Sequence, residues 1–102
     1  MGYEPAAAAI MQHAGVEQST MMGTPCLRYR GAFMAMMFDK EDALIIKVSP
    51  DRVNALITAG MGMEFNFTKK RFKEWVLIPL EFQDEYLTYL TEALTYAQGK
   101  TK

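Results

Sequence analysis

Few residues in this sequence could carry nucleophilic or metal chemistry. Its one cysteine, Cys26, and its one histidine, His13, are the only residues that could form a thiol–imidazole pair. Such a pair needs a thiol of lowered pKa and a base within hydrogen-bond reach, and no spacing places His13 beside Cys26. One histidine and one cysteine also fall short of the usual ligand set of zinc. We therefore expect no catalytic residue, no metal site and no cofactor.

Two other patterns resemble ligand-binding loops only in part. The carboxylates of Asp39, Glu41 and Asp42 are spaced as in a short turn, without the glycine and closing glutamate of a calcium loop. The segment Gly60-Met61-Gly62 follows a predicted helix, whereas a phosphate-binding glycine loop precedes one. We interpret the first as a solvated turn and the second as a helix stop.

Positive charge is concentrated in one turn. Residues 69–73 contain four cations in five residues, and the charges of residues 74–98 are all negative. A basic turn beside Trp75 could bind a small anion or a nucleic acid by charge and stacking, or it could be a solvated turn that faces the acidic helix. The candidate binding residues are Arg28, Arg30, Lys47, Lys69, Lys70, Arg71, Lys73, Glu74 and Trp75.

Length and composition indicate one small globular domain over residues 1–102. The chain is 50% hydrophobic and 23% charged, and its 11 basic and 12 acidic residues give a net charge of −1. This balance argues against a dedicated nucleic-acid domain. The longest apolar run, residues 32–38, is too short to span a membrane. With no possible internal disulfide and no basic signal-peptide start, we expect a cytoplasmic protein without membrane partners.

The apolar periodicity predicts an α+β domain with a mainly antiparallel sheet of five to six strands and three helices, in the order α-β(4)-α-β(2)-α. Ser49-Pro50-Asp51 is a strong helix start, with Ser49 as N-cap. The predicted helices span 5–14, about 50–58 and 81–98; the predicted strands span 17–22, 27–30, 33–38, 43–48, 63–67 and 74–80.

Two segments, 33–38 and 75–78, are apolar on both faces, and we expect them to be neighbouring strands of one sheet that helices cover. Arg28 and Arg30 alternate with Leu27 and Tyr29, which predicts that both arginines lie on one face of a strand. If helices cover only one face of the sheet, the other face would be an apolar patch that implies a partner or a second copy.

The order of these motifs resembles the N-terminal domain of the TfoX/Sxy family, bacterial proteins linked to competence regulation. The resemblance covers roughly residues 8–98. The residues that carry it are Met22-Gly23, Phe33-Met34-Ala35, Leu44-Ile45-Ile46-Lys47-Val48, the helix around Val53 to Leu56, Gly60, Glu64 with the phenylalanines of the predicted strand 63–67, Arg71-x-Lys73-Glu74-Trp75-Val76 and the closing aromatic helix.

This resemblance implies a YjbR-like α/β domain without a known catalytic centre. As a departure from the full-length competence regulators, we expect a stand-alone domain without their C-terminal domain. The turn after Met22-Gly23 departs from the family pattern, because it reads Thr24-Pro25-Cys26 where relatives often have another glycine.

Three hypotheses for the function follow. The first is a non-enzymatic regulatory or protein-interaction domain, with a homodimer or another protein as partner. The second is a small-anion or nucleic-acid binding module that uses the basic turn 69–73. The third is a small enzyme in which burial shifts the pKa of Lys47 or Glu74, and we expect an ordinary ion pair there instead.

Overall fold

The computed structural model describes residues 3–21, 23–38, 43–64 and 73–100. The predicted α+β class, its three helices and its antiparallel sheet are confirmed. The described elements are α1 (Tyr3–Ile10), β1 (Val16–Met21), β2 (Thr24–Tyr29), β3 (Ala32–Phe38), β4 (Ala43–Lys47), α2 (Pro50–Thr58), β5 (Met63–Glu64), β6 (Trp75–Pro79), a 3₁₀ segment (Leu80–Glu85) and α3 (Tyr86–Lys100).

The six strands of the described part form one sheet in the order β1-β2-β3-β4-β6-β5, and every neighbouring pair is antiparallel. The apolar segments 33–38 and 75–78 therefore belong to one sheet, as predicted, but the prediction that they are neighbours is wrong. Strand β4 lies between them, because its residues Ala43, Leu44, Ile45 and Ile46 are also buried on both faces.

The first and last helices differ from their predicted bounds. Helix α1 ends at Ile10 rather than near residue 14, because the N–H groups of Gln12 and His13 bond three residues back and tighten the chain into a turn. The predicted helix at 81–98 is a 3₁₀ segment followed by α3, since the backbone of Phe82 is not helical. No helix of the described residues is long and apolar enough to cross a membrane.

Some predicted features lie partly or wholly outside the described residues. The predicted strand at 63–67 is described only as β5, Met63–Glu64. The acidic turn of Asp39, Glu41 and Asp42 lies between β3 and β4 in the sequence and is not among the described residues.

All three helices pack on one face of the sheet and bury a single large core there. The predicted apolar stripe of the last helix lies in this core, where Tyr86 is fully buried and donates its O–H to the carbonyl of Ile78 at 3.0 Å. The other buried residues of the stripe are Tyr89, Leu90, Ala93, Leu94 and Ala97.

A β-bulge in β3 changes which residues reach this core. Leu27 pairs with Ala35 while Arg28 pairs with Phe33, so Met34 is an extra residue opposite β2. Met34 and Ala35 both join the helix-side core, whereas Phe33 lies in the cluster on the opposite face. A bulge places two successive side chains on the same face of a strand. The sequence pattern did not predict this bulge.

The face of the sheet away from the helices carries a second apolar cluster. Its buried members are Cys26, Phe33, Met36, Ala43, Ile45 and Leu77. None of them is more than 9% exposed in a single chain. An open apolar face that would require a second copy to cover it is therefore not present at these residues.

Gly60 and Gly62 end α2 and connect it to β5. Gly60 has a φ of 80°, as the predicted helix stop requires, and the N–H groups of Met61 and Gly62 both bond to the carbonyl of Leu56. Gly62 is packed against β6, and a Cβ there would lie 2.6 Å from Cγ2 of Val76.

We expect Gly62→Ala to lower the free energy of unfolding by about 1–3 kcal/mol, because the added methyl group overpacks the contact with Val76. Gly99→Ala is the matched control, since Gly99 lies in α3 with nothing within 4 Å of an added Cβ. The control should be neutral or more stable by up to about 1 kcal/mol. Urea unfolding measures the free energy of unfolding of both variants. Equal stability of the two would contradict the close contact between Gly62 and Val76.

Candidate binding groove between the second and third helices

An open groove of about 530 Å³ lies between the start of α2 and one side of α3. We call this cavity the helix groove. Its volume is in the range of sites that bind small molecules or the side chains of a peptide. It is lined by Val48, Ser49, Arg52, Thr88, Thr91, Glu92, Thr95 and Tyr96.

The β4–α2 connection forms one wall of the helix groove. The N–H of Val48 donates to the carbonyl of Glu74 at 2.9 Å, which ties this connection to the residue before β6. Ser49 then caps α2, as predicted, and its Oγ accepts the N–H of Arg52 at 3.2 Å. These bonds fix the first turn of α2, from which the side chain of Arg52 projects.

Threonines of α3 form the other wall. Thr91 donates its hydroxyl to the carbonyl of Leu87 at 2.8 Å, and Thr95 donates to the carbonyl of Thr91 at 3.0 Å. Both hydroxyls are therefore bonded to their own helix. Their protons are therefore not available to a ligand, while their oxygens can still accept a hydrogen bond. Most of the accessible lining of the helix groove is apolar.

Two polar pairs border the helix groove. Nη2 of Arg52 lies 2.8 Å from Oε1 of Glu92, and Nε of the same arginine donates to Oε2 at 3.4 Å, so the pair joins α2 to α3. One helical turn further along α3, Tyr96 donates its O–H to the carboxylate of Glu74. The first pair is largely exposed and the second is partly buried.

Tyr89 is buried in the core, on the helix that forms this wall. Burial raises the pKa of its phenol, and the nearby carboxylates of Glu85 and Glu92 raise that pKa further, while Arg52 lowers it. The phenol therefore stays neutral at physiological pH, and its O–H donates to the sulfur of Met61 at 3.9 Å.

The described candidate cations lie at one end of the sheet, in β2, in β4 and in the adjoining turns. The C-terminal ends of β2 and β4 meet the N-terminal ends of β3 and β6 there, because all the pairs are antiparallel. Arg28, Lys47 and Lys73 belong to this end, together with Glu74 and Trp75. The other residues of the basic turn, 69–72, lie outside the described residues, and they include the candidates Lys69, Lys70 and Arg71.

The prediction that Arg28 and Arg30 share one face of a strand is wrong. Strand β2 ends at Tyr29, and Arg30 lies in the turn to β3 with a φ of 49°, followed by Gly31 with a φ of 88°. Two positive φ values in a two-residue loop are typical of a type I′ hairpin turn. The guanidinium of Arg30 lies 5.4 Å from the ring centre of Tyr29, and Arg28 donates to the carbonyl of Gly31 at 3.2 Å.

The aromatic rings at this end already contact each other. Phe33 and Trp75 stack with their ring centres 4.6 Å apart. A small cavity of about 50 Å³ beside Phe33 is lined also by Lys47 and Tyr96. Because Tyr96 lines both cavities, the helix groove and the basic end of the sheet adjoin at this residue.

The two residues that could have formed a thiol–imidazole pair lie in different surroundings. Cys26 is fully buried in the second cluster, and His13 is exposed in the turn after α1. Among the described residues, no three side chains of the metal-ligating types lie close enough together to hold an ion.

The helix groove was not predicted from the sequence. Ser49 is a predicted helix cap, but none of the lining residues is a predicted ligand contact. Thr88, Thr91 and Thr95 recur at helical spacing on the side of α3 away from the buried stripe, and this repetition was the one available signal. A threonine stripe on a helix is usually a solvated face, so the signal was weak.

Comparison with known proteins gave no match: no family model fits the sequence, and no curated protein or solved structure is significantly similar to it. The resemblance to the TfoX/Sxy N-terminal domain therefore rests on the motifs of the sequence alone.

The two polar pairs should differ in their contribution to stability. We expect Tyr96→Phe to lower the free energy of unfolding by about 1.5–3 kcal/mol, because it leaves a partly buried carboxylate without this donor. Arg52→Gln should cost less than about 1 kcal/mol, because exposed ion pairs contribute little. Urea unfolding of both variants tests this order, and a larger loss for Arg52→Gln would reverse it.

Proposed function

We propose that this chain is a non-enzymatic protein-interaction domain that holds apolar side chains of a partner in the helix groove. The observation that carries the proposal is an open cavity of about 530 Å³ in which the hydroxyls of Thr91 and Thr95 are bonded to their own helix. A groove that presents methyl groups and an aromatic ring favours an apolar ligand.

The charges at the border of the helix groove support a peptide rather than a free hydrocarbon. Arg52 and Glu92 are partly exposed to solvent. Each can therefore form hydrogen bonds with the backbone or side chains of a bound peptide in place of part of its ion pair with the other. The resemblance to the TfoX/Sxy N-terminal domain supports a regulatory role for this interaction. The full burial of Cys26 supports a role other than thiol catalysis.

Filling the helix groove tests the proposal. Random peptides displayed on phage are selected on the wild-type chain, and the enriched peptides are measured by fluorescence polarisation. We expect enrichment of aliphatic and aromatic residues, and we expect Thr91→Trp to weaken the binding at least about tenfold by occupying the cavity.

Leu87→Trp is the matched control for this experiment. Leu87 is 39% exposed on the same helix and does not line the helix groove. The control should bind the selected peptides as the wild type does. Failure to enrich any peptide, or equal binding by Thr91→Trp, would contradict the proposed function.

A second candidate function is binding of a single-stranded nucleic acid at the basic end of the sheet. It is favoured by the position of Arg28, Lys47 and Lys73 at the same end as the stacked rings of Phe33 and Trp75. Cations next to an aromatic surface are the usual elements of such a site.

The dependence of oligonucleotide binding on salt concentration tests this second function. Fluorescence anisotropy with a labelled oligonucleotide at about 50 mM and about 200 mM salt should show weaker binding at the higher concentration. Lys47→Ala combined with Lys73→Ala should then reduce both the affinity and the salt dependence. Lys47→Arg combined with Lys73→Arg keeps both positive charges and serves as the control. Binding that is absent or insensitive to salt would exclude this function.

A further inference from the structure

The strand β1 forms one edge of the sheet, and its outward backbone groups can be assigned. The N–H of Arg30 donates to the carbonyl of Gly15 at 2.9 Å, so these two residues form a hydrogen-bonded pair. Such pairs alternate along an antiparallel ladder. Glu17 and Ser19 therefore bond to β2, and the backbone groups of Val16, Gln18 and Thr20 are directed away from the sheet.

The outward groups of Gln18 and Thr20 are available to another strand. The N–H of Val16 bonds to the carbonyl of His13 at 3.3 Å, which leaves it unavailable. Within the part of the chain that the structure describes, no turn or loop hydrogen bond engages the backbone of Gln18 or Thr20. Both residues are exposed.

The sequence of β1 lacks the features that usually protect an edge strand. Such strands carry lysine, proline or a bulge that prevents pairing with another chain. The strand Val16–Met21 contains one charged residue, Glu17, and no lysine or proline. Its register with β2 runs through all six residues without a bulge.

We propose that β1 pairs with β1 of a second copy of this chain, antiparallel and centred on Ser19. In this register Gln18 of each copy lies opposite Thr20 of the other, so that the outward N–H and C=O groups of both residues are bonded. A register centred on Glu17 would place two carboxylates directly opposite each other, which is destabilising.

The proposed pairing joins two six-stranded sheets into one continuous sheet. The interface is small and polar, so we expect a dissociation constant between about 1 μM and 1 mM. It involves neither α2 nor α3, and the variants that test it leave the helix groove unchanged.

Sedimentation velocity across a concentration series tests the association. We expect Gln18→Pro to weaken it at least about tenfold, because proline removes an outward N–H without disturbing the bonds to β2. Gln18→Ala is the matched control and should associate as the wild type does. Since proline could also unfold the chain, circular dichroism is recorded for each variant, and Gln18→Lys provides a second disruption.

Crosslinking tests the register. Opposed residues of a non-hydrogen-bonded antiparallel pair have close Cβ atoms, so Ser19→Cys should form an intermolecular disulfide on mild oxidation. The variant is made together with Cys26→Ala, because Cys26 lies opposite Ser19 within the same chain and could capture the new thiol.

Thr58→Cys in the same Cys26→Ala background is the crosslinking control, since Thr58 is exposed at the end of α2. It should crosslink much less than Ser19→Cys. A chain that is monomeric at all concentrations, an association unaffected by Gln18→Pro and Gln18→Lys, or equal crosslinking of the control would overturn the proposal.

Discussion

Strand β4 is buried on both faces, and this burial governs the arrangement of the other elements. Leu44 and Ile46 contribute to the helix-side core, and Ala43 and Ile45 contribute to the opposite cluster, all with no exposed surface. A strand of this kind is stable only between two other strands with cover on both sides. It therefore needs a neighbouring strand on each edge, and in the folded chain these neighbours are β3 and β6.

The direction of β4 also determines where the helix groove lies. The strand ends at Lys47, and the chain passes through Val48 and Ser49 directly into α2. The bond from Val48 to Glu74 holds this passage against β6. Helix α2 therefore begins beside α3, where Arg52 reaches Glu92 and the threonines leave open space between the helices.

Local backbone geometry explains the predictions that were wrong at particular residues. Arg30 has a positive φ in a hairpin turn, so it lies outside β2. Phe82 breaks the helical geometry before α3 begins. At both positions the local backbone conformation outweighed a periodicity that a single sequence expresses only on average.

Local spacing and capping chemistry were enough to predict the fold class, the element order, the Ser49 cap and the apolar stripe of the last helix. Three features became evident only in the folded chain: β4 separates β3 from β6, Tyr96 meets Glu74, and α2 and α3 enclose a groove. Each of them joins residues that are distant along the chain, and the free energy of such a contact depends on both partners together, so the pattern around either one does not reveal it.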